Sequence, residues 1–212
     1  KEGVYIGHAN FETDQQATSV VTIESTIKTK NLPVRVFDLF SGENIQADVY
    51  LQSLTGRQEI NGFTEINLPE LNRLSYGYLE SISEEYNRTQ FTYFDNDEYM
   101  HVPLIKNQYV QYFAQQAKVS IVPETSIIVG IVPDDNFEVF LPHEENFDKS
   151  NRVYFDATGR ITESGKMGGG FILFNVPSKT QSVLVLSEKS NLVNSKLIPV
   201  EPNSTSILKF HF

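Results

Sequence analysis

The strongest constraint on the fold of this chain is a segment that occurs twice. Residues 62–69 read GFTEINLP and residues 170–177 read GFILFNVP, and the related segments 48–51 and 138–141 precede the two copies. Internal similarity of this kind indicates a duplicated structural unit. A chain of 212 residues has room for two domains of roughly 100 residues each. We therefore expect two copies of one module that share one strand topology.

Both halves consist mostly of short segments bounded by Gly, Pro, Asn and Asp, in which apolar and polar residues alternate. This alternation predicts strands with one buried face, and many short strands in succession predict an all-β sandwich. One segment, behind Pro103, instead has the apolar spacing of a helix. The predicted domains are a first β-sandwich with an N-terminal extension at residues 1–102, a linking helix at 103–118 and a second β-sandwich at 119–212.

The composition excludes several classes of protein. Hydrophobic residues make up 40% of the chain, which is enough for packed cores and excludes a wholly disordered chain. The formal net charge of -10 would repel a phosphate backbone, so no nucleic-acid partner is expected. Apolar runs fall short of the about 20 residues that span a bilayer, so no transmembrane segment is expected. The absence of cysteine excludes disulfides and thiolate chemistry.

Turn and core residues follow a common order in the two halves. In the first half the order runs through Val36, Phe37, Asp38, Ser41, Gly42 and residues 45–51, 62–69 and 76–78. The second half repeats it through residues 128–132, 139–141, 154–159 and 170–177. This order resembles that of carboxypeptidase regulatory-like modules of the transthyretin-like (prealbumin-like) class. The resemblance implies two tandem transthyretin-like β-sandwiches, and it implies an accessory part of an exported or cell-surface protein.

Residue types that catalysis uses are present without the spacing that catalysis needs. The four histidines lie in separate regions, none at the spacing of a local zinc site, and no G-x-S-x-G elbow occurs. We therefore predict that the chain is not an enzyme. One alternative stays open, a hydrolase whose site is assembled in the interdomain cleft, where His143 would meet acidic and aromatic side chains.

Two short acidic clusters are candidate metal sites. Asp95 and Asp97 belong to one, and Asp134 and Asp135 belong to the other. Closely spaced carboxylates are the ligands that calcium prefers, whereas Asp is also frequent in solvated turns because it hydrogen-bonds its own backbone. No cofactor is expected, and calcium is the ion that these clusters would hold.

Aromatic side chains are the other candidate binding residues. Tyr76, Tyr78, Tyr86 and Tyr93 in the first half could stack on sugar rings, and His143 is a further candidate ligand-binding residue. The alternative for the tyrosines is packing in the core and across strands, where aromatic residues are enriched.

Together these patterns predict a non-catalytic interaction module that is periplasmic, outer-membrane-associated or extracellular. It would bind an envelope or surface protein or mediate adhesion, and the alternatives are a carbohydrate-binding accessory module with a glycan partner and the hydrolase. A binding scaffold should show an exposed apolar patch or an edge strand open to a partner strand. Because the first residue is Lys1, we expect either a mature form or an excised piece.

Overall fold

A computed structural model describes residues 29–51, 57–61, 63–69, 76–94 and 98–210, so the N-terminal extension lies outside the described residues. The strands of the first half are β1 (Thr29–Asp38), β2 (Gln46–Leu51), β3 (Arg57–Asn61), β4 (Phe63–Pro69), β5 (Tyr76–Ile82), β6 (Thr89–Phe94) and β7 (Met100–Leu104). The helix α1 (Asn107–Ala117) follows. The strands of the second half are β8 (Ser126–Ile131), β9 (Phe137–Phe140), β10 (Arg152–Phe155), β11 (Ile161–Thr162), β12 (Gly170–Val176), β13 (Gln181–Ser187), β14 (Leu192–Ile198) and β15 (Thr205–Lys209), with a turn of 3₁₀ helix at Lys149–Asn151.

In the described residues these strands form three sheets. One has nine strands in the order β11-β10-β12-β8-β15-β6-β5-β2-β3, and the two smaller sheets have the orders β4-β1-β7 and β14-β13-β9. The small sheets pack on the large one, so each half is a β-sandwich. The all-β class predicted from the alternating sequence is therefore confirmed.

The two halves share one strand order. The set β4-β1-β7 corresponds to β12-β8-β15, and the set β6-β5-β2 corresponds to β14-β13-β9. In each half the opening and closing strands pair in parallel, beginning with Val34↔Met100 in the first half and Ile127↔Thr205 in the second. The repeated sequence falls on the equivalent strands β4 and β12. The halves differ within residues 142–169, where β10 and β11 extend the sheet beside β12.

Paired strands join the two sandwiches directly. β6 pairs in parallel with β15 through Thr89↔Thr205 and Gln90↔Ser206, and all four side chains are at most 2% exposed. We call this pairing the seam. The sequence predicted only a helical link between the halves, because 116 residues separate Gln90 from Ser206 and no local motif relates them.

The small sheets lie on opposite faces of the nine-stranded sheet. Val49, Ser81, Thr89, Thr205 and Ile127 are paired in a row across neighbouring strands, so their side chains share one face. On that face Val49 belongs to the core under β4-β1-β7, whereas Ile127 belongs to a core under α1. The sheet β14-β13-β9 covers the other face in the second half.

The helix is shorter than the sequence predicts. It begins at Asn107 and not at Pro103, because Pro103 lies in β7 opposite Phe37 of β1. Strand pairing therefore overrides the preference of proline for the first turn of a helix. The closing strand of the first half extends to Leu104, past the predicted boundary at residue 102. The helix ends at Ala117, and Lys118, which caps it, has the left-handed φ of 57° typical of a helix C-terminus.

Phe40 connects the first half to the core under α1. It lies in the turn after β1, and its ring centroid is 4.8 Å from that of Tyr109, 5.8 Å from that of Phe113 and 5.6 Å from that of Phe155. The rings are tilted or edge-on, as favourable aromatic pairs are. Since Tyr109 and Phe113 belong to α1 and Phe155 to β10, these contacts help to fix the two halves in one orientation.

We expect Phe40→Ala to lower the free energy of unfolding by about 2 kcal/mol, because it removes a partly buried ring and three aromatic contacts. Urea unfolding followed by tyrosine fluorescence measures this loss. Phe63→Ala is the matched control, since Phe63 is 55% exposed. The control should change stability by less than about 0.5 kcal/mol. Equal losses in the two variants would contradict the role of Phe40.

Candidate functional site

A groove opens where the two halves meet, and we call it the junction groove. Its volume is about 550 Å³. Its walls come from the turn after β1, the outer side of α1 and the turn after β10. The residues that line it are Phe40, Ser41, Gln108, Tyr109, Tyr112, Thr158, Gly159 and Arg160. Both halves are needed to form it.

Asp38 holds the first wall of the groove. Its side chain is buried, and its Oδ1 accepts hydrogen bonds from the backbone N–H groups of Phe40 (3.0 Å) and Ser41 (2.8 Å). Its Oδ2 accepts a hydrogen bond of 3.0 Å from the hydroxyl of Tyr86, and Nζ of Lys106 lies 4.0 Å away. A buried carboxylate is stable only with such partners. Asp38 thereby fixes the turn that presents Phe40.

Asp156 holds the opposite wall in a similar way. Its Oδ1 accepts hydrogen bonds from the hydroxyl of Thr158 (2.7 Å), from the N–H of Thr158 (2.8 Å) and from the N–H of Arg160 (3.0 Å). The hydroxyl of Thr158 is the largest cause that lowers the pKa of Asp156. Gly159 has a φ of +79°, and a Cβ there would lie 3.2 Å from the ring of Phe40. Glycine therefore suits both the backbone and the close approach.

The helix α1 supplies the aromatic floor. It buries Val110, Phe113 and Ala114 against the sheet and leaves Tyr112 44% exposed. Helical spacing of apolar residues is typical of packing on a neighbouring sheet, so the sequence does not single out Tyr109 or Tyr112 as binding residues. Adjacent residues point about 100° apart on a helix, which was the available signal that Tyr112 and Phe113 cannot both face the sheet.

Arg160 is the one charged residue among the described residues that line the groove. Its guanidinium can bind a carboxylate with two hydrogen bonds and can stack on an aromatic ring. The amide of Gln108 and the hydroxyls of Ser41 and Thr158 add polar contacts. His143 does not line the groove, so the convergence expected for a hydrolase in the interdomain cleft does not occur at this groove.

The predicted sugar-stacking tyrosines are not among the described residues that line this groove. Tyr86 is partly buried, and its hydroxyl donates a hydrogen bond to Asp38. Burial, as the largest cause, and this hydrogen bond, as the second, raise the pKa of Tyr86 well above its ordinary value. Tyr76 and Tyr78 lie on β5 and Tyr93 on β6, where Tyr93 is opposite Gly77. A sugar-binding role for these four residues stays a prediction.

His143 is exposed in the segment that follows β9. The neighbouring Glu144 accepts a hydrogen bond of 3.1 Å from the amide of Gln181 and lies 2.6 Å from Nζ of Lys179. Lys179, the largest cause, and Gln181 lower the pKa of Glu144. A ligand-binding role for His143 stays a prediction.

The acidic cluster at the turn after β8 is occupied by local hydrogen bonds. Oδ2 of Asp134 accepts from the hydroxyls of Ser187 (2.5 Å) and Ser190 (3.0 Å), and Oδ1 accepts from the N–H of Asp135 (2.9 Å). Oδ1 of Asp135 accepts from the N–H of Asn136 at 3.0 Å. A calcium ion would have to share or displace these donors, so calcium at this turn stays a prediction.

The other predicted cluster, Asp95 and Asp97, lies outside the described residues. Within the described ranges no group of three or more His, Asp or Glu side chains is placed to hold a metal ion.

The strand β14 has the surface expected of a binding scaffold. It is at the edge of its sheet, and its side chains Leu192, Val193 and Leu197 are 49%, 60% and 53% exposed. An edge strand with apolar side chains can accept a further strand. No helix in the described part of the chain is long and apolar enough to cross a membrane.

No protein-family model matches the chain, and no curated protein matches it. A point mutant of the shaft pilin SpaA from Lactobacillus rhamnosus GG is 12% identical, with 87% of this chain and 100% of that chain covered and a TM-score of 0.30. The Bacillus anthracis TIE protein is 11% identical, with 85% and 33% covered and a TM-score of 0.25. A streptococcal ancillary pilin is 11% identical, with 95% and 69% covered and a TM-score of 0.24. Similarity at this level carries no information about what the chain binds.

We expect Asp134→Asn to destabilise the protein at pH 7 and to have a smaller effect in acid. The hydroxyl of Ser187, the largest cause, holds the pKa of Asp134 below its ordinary value. The carboxylate therefore contributes stability above the unfolded pKa of about 4, and that contribution is lost as the pH falls through the folded pKa. Urea midpoints of both proteins from neutral to acid pH measure the difference. Ser187→Ala should reproduce part of this pH-dependent loss of stability. A difference between the midpoints that does not change with pH would refute the stabilising role of the Asp134 carboxylate.

Proposed function

We propose that the chain is a non-catalytic interaction module of an exported cell-surface or cell-envelope protein, and that the junction groove binds its protein partner. The observation that carries this proposal is the exposure of Tyr112 beside Tyr109, Phe40 and Arg160 in a groove with fixed walls. Tyrosine and arginine are the residue types that dominate binding energy in protein interfaces. Because Asp38 and Asp156 hold the walls of the groove in place, binding would cost less conformational entropy than it would with mobile walls.

The charge of the groove favours an acidic or carboxylate-bearing segment of the partner. The whole chain has a formal net charge of -10, and among the described residues that line the groove Arg160 is the one that carries a charge. The carboxylates of Asp38 and Asp156, which hold the walls, accept hydrogen bonds from backbone N–H groups. The guanidinium of Arg160 is therefore the group in the groove that would attract a negative group of another molecule.

The proposed location and class are supported by sequence. The resemblance to carboxypeptidase regulatory-like modules is the support for an exported surface protein. We propose that both halves belong to the transthyretin-like class, and the support for this class is the same sequence resemblance. That one class holds for both halves is supported by their shared order of six strands, β4-β1-β7 with β6-β5-β2 and β12-β8-β15 with β14-β13-β9.

We expect Tyr112→Ala to reduce retention of the protein on intact cells about tenfold or more, because an exposed aromatic anchor is lost. Tyr99→Ala is the matched control, since Tyr99 is 40% exposed on the first half and is not among the described residues that line the junction groove. Protease treatment of the cells should abolish retention if the partner is a protein. Equal retention of the two variants would reject the groove as the site.

A glycan is the second candidate ligand, and it is favoured by two tyrosines one helical turn apart, Tyr109 and Tyr112, beside the amide of Gln108. Aromatic faces stack on sugar rings, and planar amides bind hydroxyls. In this case retention should survive protease treatment of the cells and occur on isolated envelope polysaccharide or peptidoglycan. Tyr112→Ala should weaken it there as well, whereas unchanged glycan retention in this variant would exclude the groove as a sugar site.

A further inference from the structure

We infer that the chain also bears tension along its length, and that β15 is the strand that resists it. This function needs no ligand and is independent of the binding proposed for the junction groove. Its basis is the way in which the first and last strands of each half are paired.

In both halves the opening strand and the closing strand are hydrogen-bonded neighbours that run in parallel. β1 pairs with β7 from Val34↔Met100 to Asp38↔Leu104, and β8 pairs with β15 from Ile127↔Thr205 to Ile131↔Lys209. The start of one parallel strand and the end of its neighbour lie at opposite ends of the pair. A pull on the two ends of the described chain therefore slides the paired strands along each other.

Sliding is the strong direction of a strand pair. The hydrogen bonds of a parallel ladder are evenly spaced, so a sliding force is shared among them and they must break together. A force that peels the strands apart loads one bond at a time. Forced unfolding is governed by the barrier to the first rupture, so sharing the load raises the force that the protein survives.

β15 is held more firmly than β7, because it is paired on both sides. Its second neighbour is β6 of the first half, through Thr89↔Thr205 and Gln90↔Ser206. Beyond β15, Phe210 is 0% exposed, its ring centroid is 6.0 Å from that of Phe171, and its N–H donates to the carbonyl of Ile131 at 3.0 Å. Extraction of β15 thus requires two ladders to slide and an aromatic ring to leave the core.

The start of β15 is also fastened across the seam. The N–H of Thr205 donates to the carbonyl of Arg88 at 2.7 Å, and the guanidinium of Arg88 lies 2.6 Å from the carboxylate of Glu201. The carbonyl of Glu201 accepts hydrogen bonds from the hydroxyls of Ser126 and Ser204. These contacts tie β6, β8 and β15 together at one end.

The seam provides a second route for force between the halves. The covalent link runs from β7 through α1 to β8, and a short helix under tension would lengthen before the sheets do. Because β6–β15 pairing and the Phe40 contacts run beside this link, tension passes from sheet to sheet and α1 is relieved of it.

Single-molecule pulling in two geometries tests this inference. The chain has no cysteine, so introduced cysteines give unique attachment points. The first geometry pulls between the two ends of the chain. The second pulls between the C-terminal end and a cysteine introduced by Pro133→Cys. Pro133 is exposed and lies just after β8, so this force peels β15 from β8. We expect the first rupture force to be severalfold higher in the end-to-end geometry at the same pulling rate.

Ser195→Pro is the matched control, because Ser195 is exposed on the edge strand β14, outside the path of the load. It should lower the urea midpoint and leave the end-to-end rupture force unchanged. Equal forces in the two geometries, or a similar fall of the end-to-end force in Ser195→Pro, would overturn the inference. Neither result bears on ligand retention, so failure here is distinguishable from failure of the proposed binding function.

Discussion

The structure depends on β15 lying between β8 and β6. Because of this placement, one layer of each sandwich belongs to the same nine-stranded sheet. The paired residues Ser81, Thr89 and Thr205 form a row across the seam, and all three side chains are fully buried. Buried hydroxyls contribute little hydrophobic stabilisation, so the seam relies on paired backbone groups and on the cores at either side. Because the sheet is continuous, α1 can pack beside the small sheet of the first half on the same face.

Asp38 is the second constraint, since one buried carboxylate organises the approach of the two halves. It holds the turn that carries Phe40, and it accepts a hydrogen bond from the hydroxyl of Tyr86. The backbone of Tyr86 in turn forms an isolated β-bridge with Lys106, just before α1. Tyr86 can donate the hydrogen bond to Asp38 only while its hydroxyl is protonated, which agrees with the raised pKa of Tyr86. The turn after β1, the segment before β6 and the start of α1 are thereby fixed to one charged group, and the junction groove takes its shape from them.

The sequence anticipated the fold better than the site. The repeat located the equivalent strands β4 and β12, and the alternating segments predicted the all-β class that the structure has. The start of the helix was misplaced because Pro103 reads locally as a helix signal and is paired in β7. The groove was missed because its walls come from turns distant in sequence, and only their packing brings Arg160 near Tyr112.

What the sequence determined by itself is the all-β class, most of the segments that form strands, and the repeat that falls on β4 and β12. Side-chain periodicity carries that information, because burial acts on side chains. What only the tertiary structure decided is which strand edges meet, the placement of the small sheets on opposite faces, and hence the groove and the load path through β15. Edge pairing is made by backbone groups that every residue except proline shares, so side chains record it only weakly.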